Sequence, residues 1–360
     1  MLNFLVKRIF YGFLVLFGVL VLVFLLFNAL PGDPARLMLG QRADAQAIAI
    51  IDKDLGLDRP LSTQFLMYLD DLSPVSVYND KQRSSPVYLD TNKYSHYTTL
   101  FRASQNKVVI LKYPYLRRSY QTKRKVADII TATLPNTAIL AVTAIVFATI
   151  FGITLGIIAA LLKDSIFDKI SVVLSVLGLA GPSFFVGLLF AWLFGHVLHK
   201  YTGLNTVGSW TVTDDYGNGS YIEVKNLILP ALTLGIRPLA IIVQLTRASM
   251  LEVLSHDYIR TAFAKGLKLR KIITKHALKN ALNPVVTAIS GWFASLIAGA
   301  VFVEYIFGWD GIGKEVIESL ERYDLPVVMG VVLVTSGLFV IINMIVDIVY
   351  GLLDPRIRIK

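Results

Sequence analysis

The chain has 360 residues, of which 55% are hydrophobic and 17% are charged, and its formal net charge is +10. It contains no cysteine, which excludes disulfide bonds, iron–sulfur clusters and cysteine zinc sites. A positive charge can indicate a nucleic-acid partner, but lysines and arginines also accumulate on the cytoplasmic side of membrane proteins. The apolar residues lie in blocks too long for a soluble core, which favours a membrane protein.

Six apolar segments are long enough to cross a bilayer, since a helix needs about 20 residues to span the hydrocarbon. They predict an all-α polytopic membrane protein with six transmembrane helices. In chain order the segments are Ile9–Leu30, Leu134–Leu162, Ile170–Leu198, Leu227–Thr246, Val285–Val303 and Val327–Tyr350.

The first segment predicts an N-terminal transmembrane helix within residues 1–30. Lys7 and Arg8 precede it, as basic residues do in a signal peptide. The segment is longer than the roughly 7–15 apolar residues of a signal peptide, and no small-x-small cleavage site follows it. We therefore expect a retained helix.

The distribution of lysine and arginine predicts that both termini are cytoplasmic. In this orientation the short inner segments carry 15 basic residues and the short outer loops carry four. The inner segments are 1–8, 163–169, 247–284 and 351–360, and the outer loops are 199–226 and 304–326. The outer segment 31–133 also holds 15 basic residues, but long loops are translocated largely regardless of charge.

The outer segment 31–133 is predicted to be partly folded. Helical patterns run over 43–57 and 61–72, whereas 73–120 contains turn signals followed by the strand-like run Lys107–Tyr113. We expect 73–120 to be a mixed extracytoplasmic insertion. A solvated loop with no specific role is the alternative.

The inner segment 247–284 is too polar to span the membrane, yet it is rich in helix formers. We expect Ser255 to cap a helix that begins at Asp257 or one residue earlier. One face of this helix would carry Tyr258, Ala262 and Lys265. Gly266 is expected to break the helix.

Helical pattern resumes over Leu267–Leu282, with an apolar stripe and a basic face. Two interpretations of the whole inner segment remain open at this point. It is either an amphipathic structure lying on anionic lipid, or a helix pair that docks into a groove on a soluble partner.

The motif Arg260-Thr261-Ala262-x-x-x-Gly266 resembles the "EAA" loop of permeases from binding-protein-dependent ABC importers. The continuation His276-Ala277-Leu278-x-Asn280-x-x-x-Pro284 resembles the dipeptide/oligopeptide/nickel branch, first-permease type. Further matches occur in order along the chain: Leu30-Pro31-Gly32-Asp33-Pro34, Leu55-Gly56-Leu57-Asp58-Arg59-Pro60, Leu134-Pro135-Asn136-Thr137, Leu229-Pro230-Ala231-Leu232-Thr233-Leu234, Leu245-Thr246-Arg247 and Leu353-Asp354-Pro355-Arg356.

The resemblance implies a core permease domain over 134–360, with 247–284 as the cytoplasmic coupling loop. Within that loop the contact with the ATPase subunit would be made by Asp257, Tyr258, Arg260, Thr261, Ala262, Lys265 and Gly266. Arg260 stands where the family consensus has glutamate, so an acidic contact at that position does not transfer to this chain.

The resemblance also implies the partners and the role. A second, homologous permease would complete the path, two cytoplasmic ATPase subunits would bind ATP and magnesium, and an extracytoplasmic solute-binding protein would deliver the substrate. This chain would be a transport subunit of the bacterial inner membrane, with no catalytic residues and no cofactor of its own. The expected substrates are di- or oligopeptides, with nickel complexes or oligosaccharides as alternatives.

Two classes of protein outside this family are weighed against it. An ion-coupled secondary transporter should show inverted repeats and broken helices with polar residues at mid-membrane, whereas the mid-membrane positions here are mostly apolar and the sequence shows no such repeat. A non-transporting scaffold or receptor built on 31–133 is the other rival.

Arg237 interrupts the fourth apolar segment just before Pro238, and a charge near mid-membrane must face protein or water. It is a candidate for the translocation path, as are Pro182 and Ser183 at an expected kink in the third segment. For Arg237 an internal ion pair or a carbonyl-capping role is the alternative.

Gly308-Trp309-Asp310-Gly311-Ile312-Gly313-Lys314 matches seven positions of a P-loop, but Glu315 replaces the hydroxyl residue that binds magnesium. We expect an outer turn without nucleotide. Glu304 is expected at the interface and Asp347 to pair with basic residues of the cytoplasmic loop. His196 and His199 have no evident third ligand, so no metal site is predicted.

Overall fold

A computed structural model describes residues 2–29, 58–80, 88–89, 94, 97–214 and 219–353. The predicted helical pattern at 43–57 and the motifs at 30–34, 55–57 and 354–356 lie outside the described residues. The helices are α1 (Leu2–Ala29), α2 (Leu61–Leu72), α3 (Val126–Leu161), α4 (Ile166–Ala180), α5 (Ser183–Phe190), α6 (His199–Thr202), α7 (Lys225–Leu254), α8 (Asp257–Ala264), α9 (Leu269–Lys271), α10 (Leu278–Ala281), α11 (Asn283–Gly299), α12 (Val301–Phe307), α13 (Ile312–Glu321) and α14 (Leu325–Leu353).

Two of these helices continue as π-helix, which widens the turn by one residue. The segment Ala191–Val197 extends α5, and the segment Ile272–Ala277 joins α9 to α10. The strands are β1 (Val75–Asn79), β2 (Tyr97–Ser104), β3 (Lys107–Lys112), β4 (Thr211–Thr213) and β5 (Ser220–Ile222).

Four described helices, α1, α3, α7 and α14, are long and apolar enough to cross a membrane. Two bent pairs would each make one further span, α4 with α5 and its π-helical extension, and α11 with α12. The protein is therefore a mostly helical membrane protein with four to six candidate spans.

The third apolar segment is broken rather than straight. The axes of α4 and of the α5 segment differ by 109° at Gly181-Pro182. Gly181 has an extended backbone conformation, which the residue before a proline favours. Pro182 has no N–H to continue the helix, so α5 starts anew after it. The predicted kink is confirmed and is sharper than expected.

Helices α3 and α7 cross at two glycines of α3. A Cβ at Gly152 would lie 2.7 Å from the side chain of Ile242, and a Cβ at Gly156 would lie 2.8 Å from the Val243 carbonyl oxygen. The glycines therefore let the two backbones approach closely, as small residues do between membrane helices. This is the packing role expected for a Gly-x-x-x-Gly pair.

The chain divides into two compact units. The first comprises Met1–Leu16, Thr133–Ile317 and Val334–Lys360. Its largest buried cluster is centred on Trp309 and Phe307, which are almost completely buried. The residues packed around them include Leu140, Ala144, Leu229, Leu234, Leu296 and Val303.

The second unit comprises Phe17–Ala132 and Glu318–Leu333. It contains α2 and an antiparallel sheet of order β1-β3-β2, in which Val77 is paired with Val109 and Thr99 with Ile110. The predicted strand at Lys107–Tyr113 is confirmed as β3. Because β3 is the central strand, its apolar residues Val108, Val109 and Ile110 are buried.

A buried polar network joins this sheet to α2. The Tyr78 hydroxyl donates to the Asp70 carboxylate and accepts from Lys112 Nζ at 2.7 Å. The Tyr94 hydroxyl donates to Asp71 Oδ1 at 2.8 Å. Burial raises the pKa of both tyrosines, so each phenol stays neutral and able to donate.

We predict that Gly156→Ala destabilises the protein more than Gly178→Ala does, by about 1–3 kcal/mol. Both changes alter helix propensity equally, but the new Cβ meets a carbonyl oxygen at 2.8 Å at position 156. At position 178 it meets Ala240 Cβ at an ordinary 3.5 Å. Thermal unfolding of the two variants in one detergent measures the difference. Equal midpoints would contradict the close crossing.

Candidate functional site

The predicted coupling loop, called the inner loop after its expected side of the membrane, follows α7, which ends at Leu254. Two residues separate α7 from α8, which begins at Asp257 as predicted. The predicted cap is wrong. The Ser255 hydroxyl donates to the Glu252 carbonyl at 2.6 Å and so binds the end of α7 instead. His256 holds the capping position without a side-chain hydrogen bond.

Helix α8 has a buried and an exposed face. Ile259 and Ala262 are buried in a cluster with residues of α7 and of the helical segment that follows. The sequence placed Ala262 on the face that would approach a partner, whereas here its small side chain packs inside the chain. The exposed residues of the predicted set are Asp257, Tyr258, Arg260, Thr261, Lys265 and Gly266.

Gly266 ends this helix in the predicted way. Its φ is +71°, in the left-handed region that glycine adopts without strain, and no atom lies within 4 Å of a Cβ built there. The Gly266 N–H donates to the Phe263 carbonyl at 2.9 Å. The chain therefore turns sharply beside open space.

The helical segment after Gly266 runs from Leu269 to Ala281. Asn280 Nδ2 donates to the Tyr258 hydroxyl at 2.8 Å, which ties this segment back to α8. The sequence marked Asn280 only as a motif position, and the contact explains why an amide stands there.

The three candidate path residues lie together at the break between α4 and α5. Arg237 Nη2 donates to the Gly181 carbonyl at 3.1 Å, directly beside Pro182 and Ser183. The carbonyl-capping alternative for Arg237 thus describes its contact, although the carbonyl belongs to α4 and not to the kink of its own helix. Pro182 is exposed and Ser183 is half-buried.

Sequence reasoning missed an ion pair between Asp168 of α4 and Arg247 of α7. Arg247 Nη2 donates to Asp168 Oδ2 at 2.7 Å and Arg247 Nε donates to the other carboxylate oxygen. The Asp168 side chain is only 3% exposed. The signal available in the sequence was one acid and one base, each next to the predicted inner end of a span.

The P-loop-like turn binds a carboxylate of the same chain. Glu304 is completely buried inside the protein, and it accepts from the backbone N–H of Gly313 at 2.6 Å and of Lys314 at 3.3 Å. A Cβ at Gly311 or Gly313 would overlap the carboxylate. The glycines therefore make room for Glu304.

The motif that opens the second apolar segment holds the same turn. Asn136 Nδ2 donates to the Asp310 carbonyl at 2.8 Å, and the Asn136 carbonyl accepts from Trp309 Nε1 at 3.0 Å. Thr137 Oγ1 accepts from the Ile312 N–H at 2.8 Å. Glu304 and the Asn136-Thr137 pair thus both hold the turn in place.

Asp347 pairs with Arg8 of α1, with 2.9 Å between Asp347 Oδ2 and Arg8 Nη2. The predicted pairing of Asp347 with basic residues of the cytoplasmic loop is therefore wrong. Across the described residues, no group of three or more histidine, aspartate or glutamate side chains is arranged to hold a metal ion. His199 Nδ1 lies 2.6 Å from the Leu204 carbonyl.

Several candidate spans, one of them broken, and a two-part loop between spans define a polytopic membrane protein. The family of binding-protein-dependent transport system inner membrane components matches residues 152–359, and its N-terminal region matches residues 1–89. The chain belongs to this family of ABC transporter permeases. It is a bacterial inner-membrane transport subunit and not an enzyme.

Curated relatives extend over the whole length of the chain. The glutathione transport system permease protein GsiC of Escherichia coli (strain K12) is 36% identical over 362 residues, covering 100% of both chains. The dipeptide transport system permease protein DppB of Alkalihalophilus pseudofirmus is 32% identical over 371 residues, covering 99% of this chain and 100% of the relative.

One solved structure is similar in fold. The inward-facing MetNI methionine ABC transporter contains a chain that matches with a TM-score of 0.50 and 15% identity. The match covers 63% of this chain and 96% of that chain.

We predict that Glu304→Ala destabilises the protein markedly more than Glu304→Gln. Alanine removes the acceptor of the buried Gly313 N–H at the start of α13, at a cost of about 1–3 kcal/mol. Glutamine keeps an acceptor oxygen in nearly the same place. Thermal unfolding of the purified variants measures the loss, and equal losses would contradict the capping role.

Proposed function

We propose that this chain is the first permease of an ABC importer for small peptides. The observation that carries the proposal is the inner loop, in which a short exposed helix ends at a glycine with open space beside it. The whole-length similarity to permeases named for glutathione and dipeptide transport supports the substrate class. Nickel complexes and oligosaccharides remain the alternative substrates within the family.

In this proposal the two bent pairs each count as one span, which gives six transmembrane helices with both termini in the cytoplasm. The excess of lysine and arginine in the inner segments supports this orientation. Residues 1–30 form the N-terminal transmembrane helix, 31–133 the extracytoplasmic region with its insertion at 73–120, and 134–360 the core permease domain.

Coupling to the ATPase is assigned to the exposed side of α8 and to the turn after it. The side chains of Asp257 and Arg260 are 95% and 75% exposed, and Arg260 Nη1 lies 3.4 Å from Asp257 Oδ1. Tyr258 is held in place by Asn280. A rigid, solvent-facing element of this kind suits insertion into a groove on a soluble subunit.

The translocation path is assigned to the break between α4 and α5. Helix breaks in a membrane leave backbone carbonyls to be satisfied by other groups, and they are tolerated where protein or water surrounds them. Arg237 satisfies the Gly181 carbonyl here. Its positive charge suits a substrate that carries a carboxylate.

The partners in this proposal are a second homologous permease, two cytoplasmic ATPase subunits and an extracytoplasmic solute-binding protein. ATP and magnesium bind to the ATPase subunits. Closure of these subunits on ATP moves the coupling loops and opens the path outward, and hydrolysis returns it inward.

The test is uptake by the complete transporter reconstituted in vesicles. We expect uptake of a transported peptide to require ATP and to be inhibited by vanadate. In the same assay Gly266→Trp should abolish peptide-stimulated ATP hydrolysis without preventing membrane insertion, because a large side chain would fill the turn that faces the ATPase.

Gly203→Trp is the matched control, because Gly203 also has a positive φ of +64° and no atom within 4 Å of a built Cβ. It therefore carries the same backbone strain away from the inner loop, and we expect it to keep coupled hydrolysis. Normal uptake by Gly266→Trp would refute the coupling assignment. Uptake driven by an ion gradient without ATP would refute the importer itself.

A separate prediction concerns the path. The chain has no cysteine, so Ser183→Cys introduces a single thiol at the helix break. We expect a water-soluble thiol reagent to label it, and a transported peptide to slow the labelling several-fold. A peptide that is not transported serves as the control. Absence of labelling, or equal protection by both peptides, would contradict the assignment.

A further inference from the structure

Helix α4 is attached to α7 near both of its ends by arginines of α7. Near the N-terminus of α4, Asp168 binds Arg247. At the C-terminal end the Gly181 carbonyl binds Arg237. Between these contacts a Cβ at Gly178 would lie 3.5 Å from Ala240 Cβ, so the helices are also packed closely in the middle.

We propose that Arg237 and Arg247 are positioning residues that make α4 and the inner half of α7 a single moving body. Its hinges are Gly181-Pro182 and Arg237-Pro238. The inference rests on the coupling role proposed for α8, and it adds the route by which displacement of α8 reaches the break in the path.

The contact at the inner end is strong because it is bidentate and shielded. Two parallel N–H···O bonds from one guanidinium fix both the distance and the orientation of the carboxylate. The Asp168 carboxylate also accepts from the Asp164 N–H at 3.0 Å, and the Asp168 N–H donates to Ser165 Oγ at 3.2 Å. The tight inner turn is therefore held to α7 along with α4.

The contact at the other end arises from the break itself. The last carbonyls of a helix have no partner within the helix, and Pro182 ends α4. Arg237 supplies a charged donor to one of them. Arg237 directly precedes Pro238, and Gly181 directly precedes Pro182. The hydrogen bond from Arg237 to the Gly181 carbonyl therefore links the proline in α7 to the proline that ends α4.

Each proline weakens its own helix beside the Arg237–Gly181 contact. Pro182 separates α4 from α5, and Pro238 within α7 lacks the N–H that would bind the carbonyl of Leu234. Beyond these prolines α5 packs against α12 and against the part of α7 that precedes Pro238, since a Cβ at Gly187 would lie 3.3 Å from Thr233 of α7 and 3.6 Å from both Ile306 and Phe307 of α12. Relative motion is therefore concentrated at the prolines, with α4 and the inner half of α7 on one side.

The inner half of α7 leads directly into the coupling element. Only Ser255 and His256 separate α7 from α8, and the Ile259 N–H donates to the His256 carbonyl at 3.0 Å. Ile259 and Ala262 pack in one cluster with Met250 of α7. A displacement of α8 is therefore passed to α7, and the two arginines pass it on to α4.

Distances between spin labels test the proposal in the complete transporter with cysteine-free partner subunits. One pair, Val173→Cys with Ala248→Cys, lies within the proposed body. The other, Val173→Cys with Leu188→Cys, spans the hinge. All three positions are exposed, and the chain has no cysteine of its own.

Between the nucleotide-free and the vanadate-trapped states, we expect the 173–248 distance to stay constant and the 173–188 distance to change by several ångströms. A 173–248 distance that changes as much as the other would overturn the proposal. So would the absence of change in both, because no hinge would then operate.

Asp168→Asn tests the role of the inner contact. We expect it to make the 173–248 distance depend on nucleotide and to lower peptide uptake per ATP hydrolysed several-fold. Arg247→Lys keeps the charge but not the paired hydrogen bonds, so it should show the same defect in weaker form. Arg322→Gln, which removes an exposed pair with Glu318, should leave both readouts unchanged.

An unchanged ratio of uptake to hydrolysis in an assembled Asp168→Asn transporter would refute the positioning role. If Gly266→Trp transports normally while the 173–248 distance stays fixed and the 173–188 distance changes, the coupling assignment fails and the α4–α7 body stands. The two proposals are thus tested separately.

Discussion

The structure depends on one constraint, which is that no backbone polar group or charge can remain unpaired within the bilayer. A continuous helix meets this constraint by itself, but this chain has broken helices. At the break between α4 and α5, and at the start of α13, a side chain from another element supplies a missing partner. Arg237 serves the Gly181 carbonyl, and Glu304 serves the N–H groups at the start of α13. The polar residues in the apolar segments are thus explained by the breaks they accompany.

The sequence predicted the features that depend on local chemistry. Segment length and hydrophobicity found four to six candidate spans, proline and glycine predicted the break at 181–182, and the turn at Gly266 followed from a helix pattern interrupted by glycine. Features that depend on contacts between residues far apart in the sequence were missed or were predicted wrongly. Asp168 and Arg247 are far apart in the chain, and the inward face of Ala262 is set by packing against α7 and later residues. Periodicity shows that a helix has faces, but it does not show which face meets which neighbour.

The sheet of the second unit illustrates the same division. The strand-like run at Lys107–Tyr113, which follows turn signals, predicted β3. The network of Tyr78, Tyr94, Asp71 and Lys112 could not be predicted, since its members come from separate segments. Strands β2 and β3 fall between the two regions that match the family models.

The Glu304 carboxylate has a consequence for the evolution of this chain. Positions 304 and 311 share one small volume, because a Cβ at Gly311 would overlap the carboxylate. A shorter residue at 304 would open that volume to a side chain at 311, whereas a Cβ at Gly313 would still meet the backbone of Val301. Substitutions at 304 and 311 should therefore be correlated among related sequences, and a change at 311 should be accepted mainly in lineages where 304 has also changed.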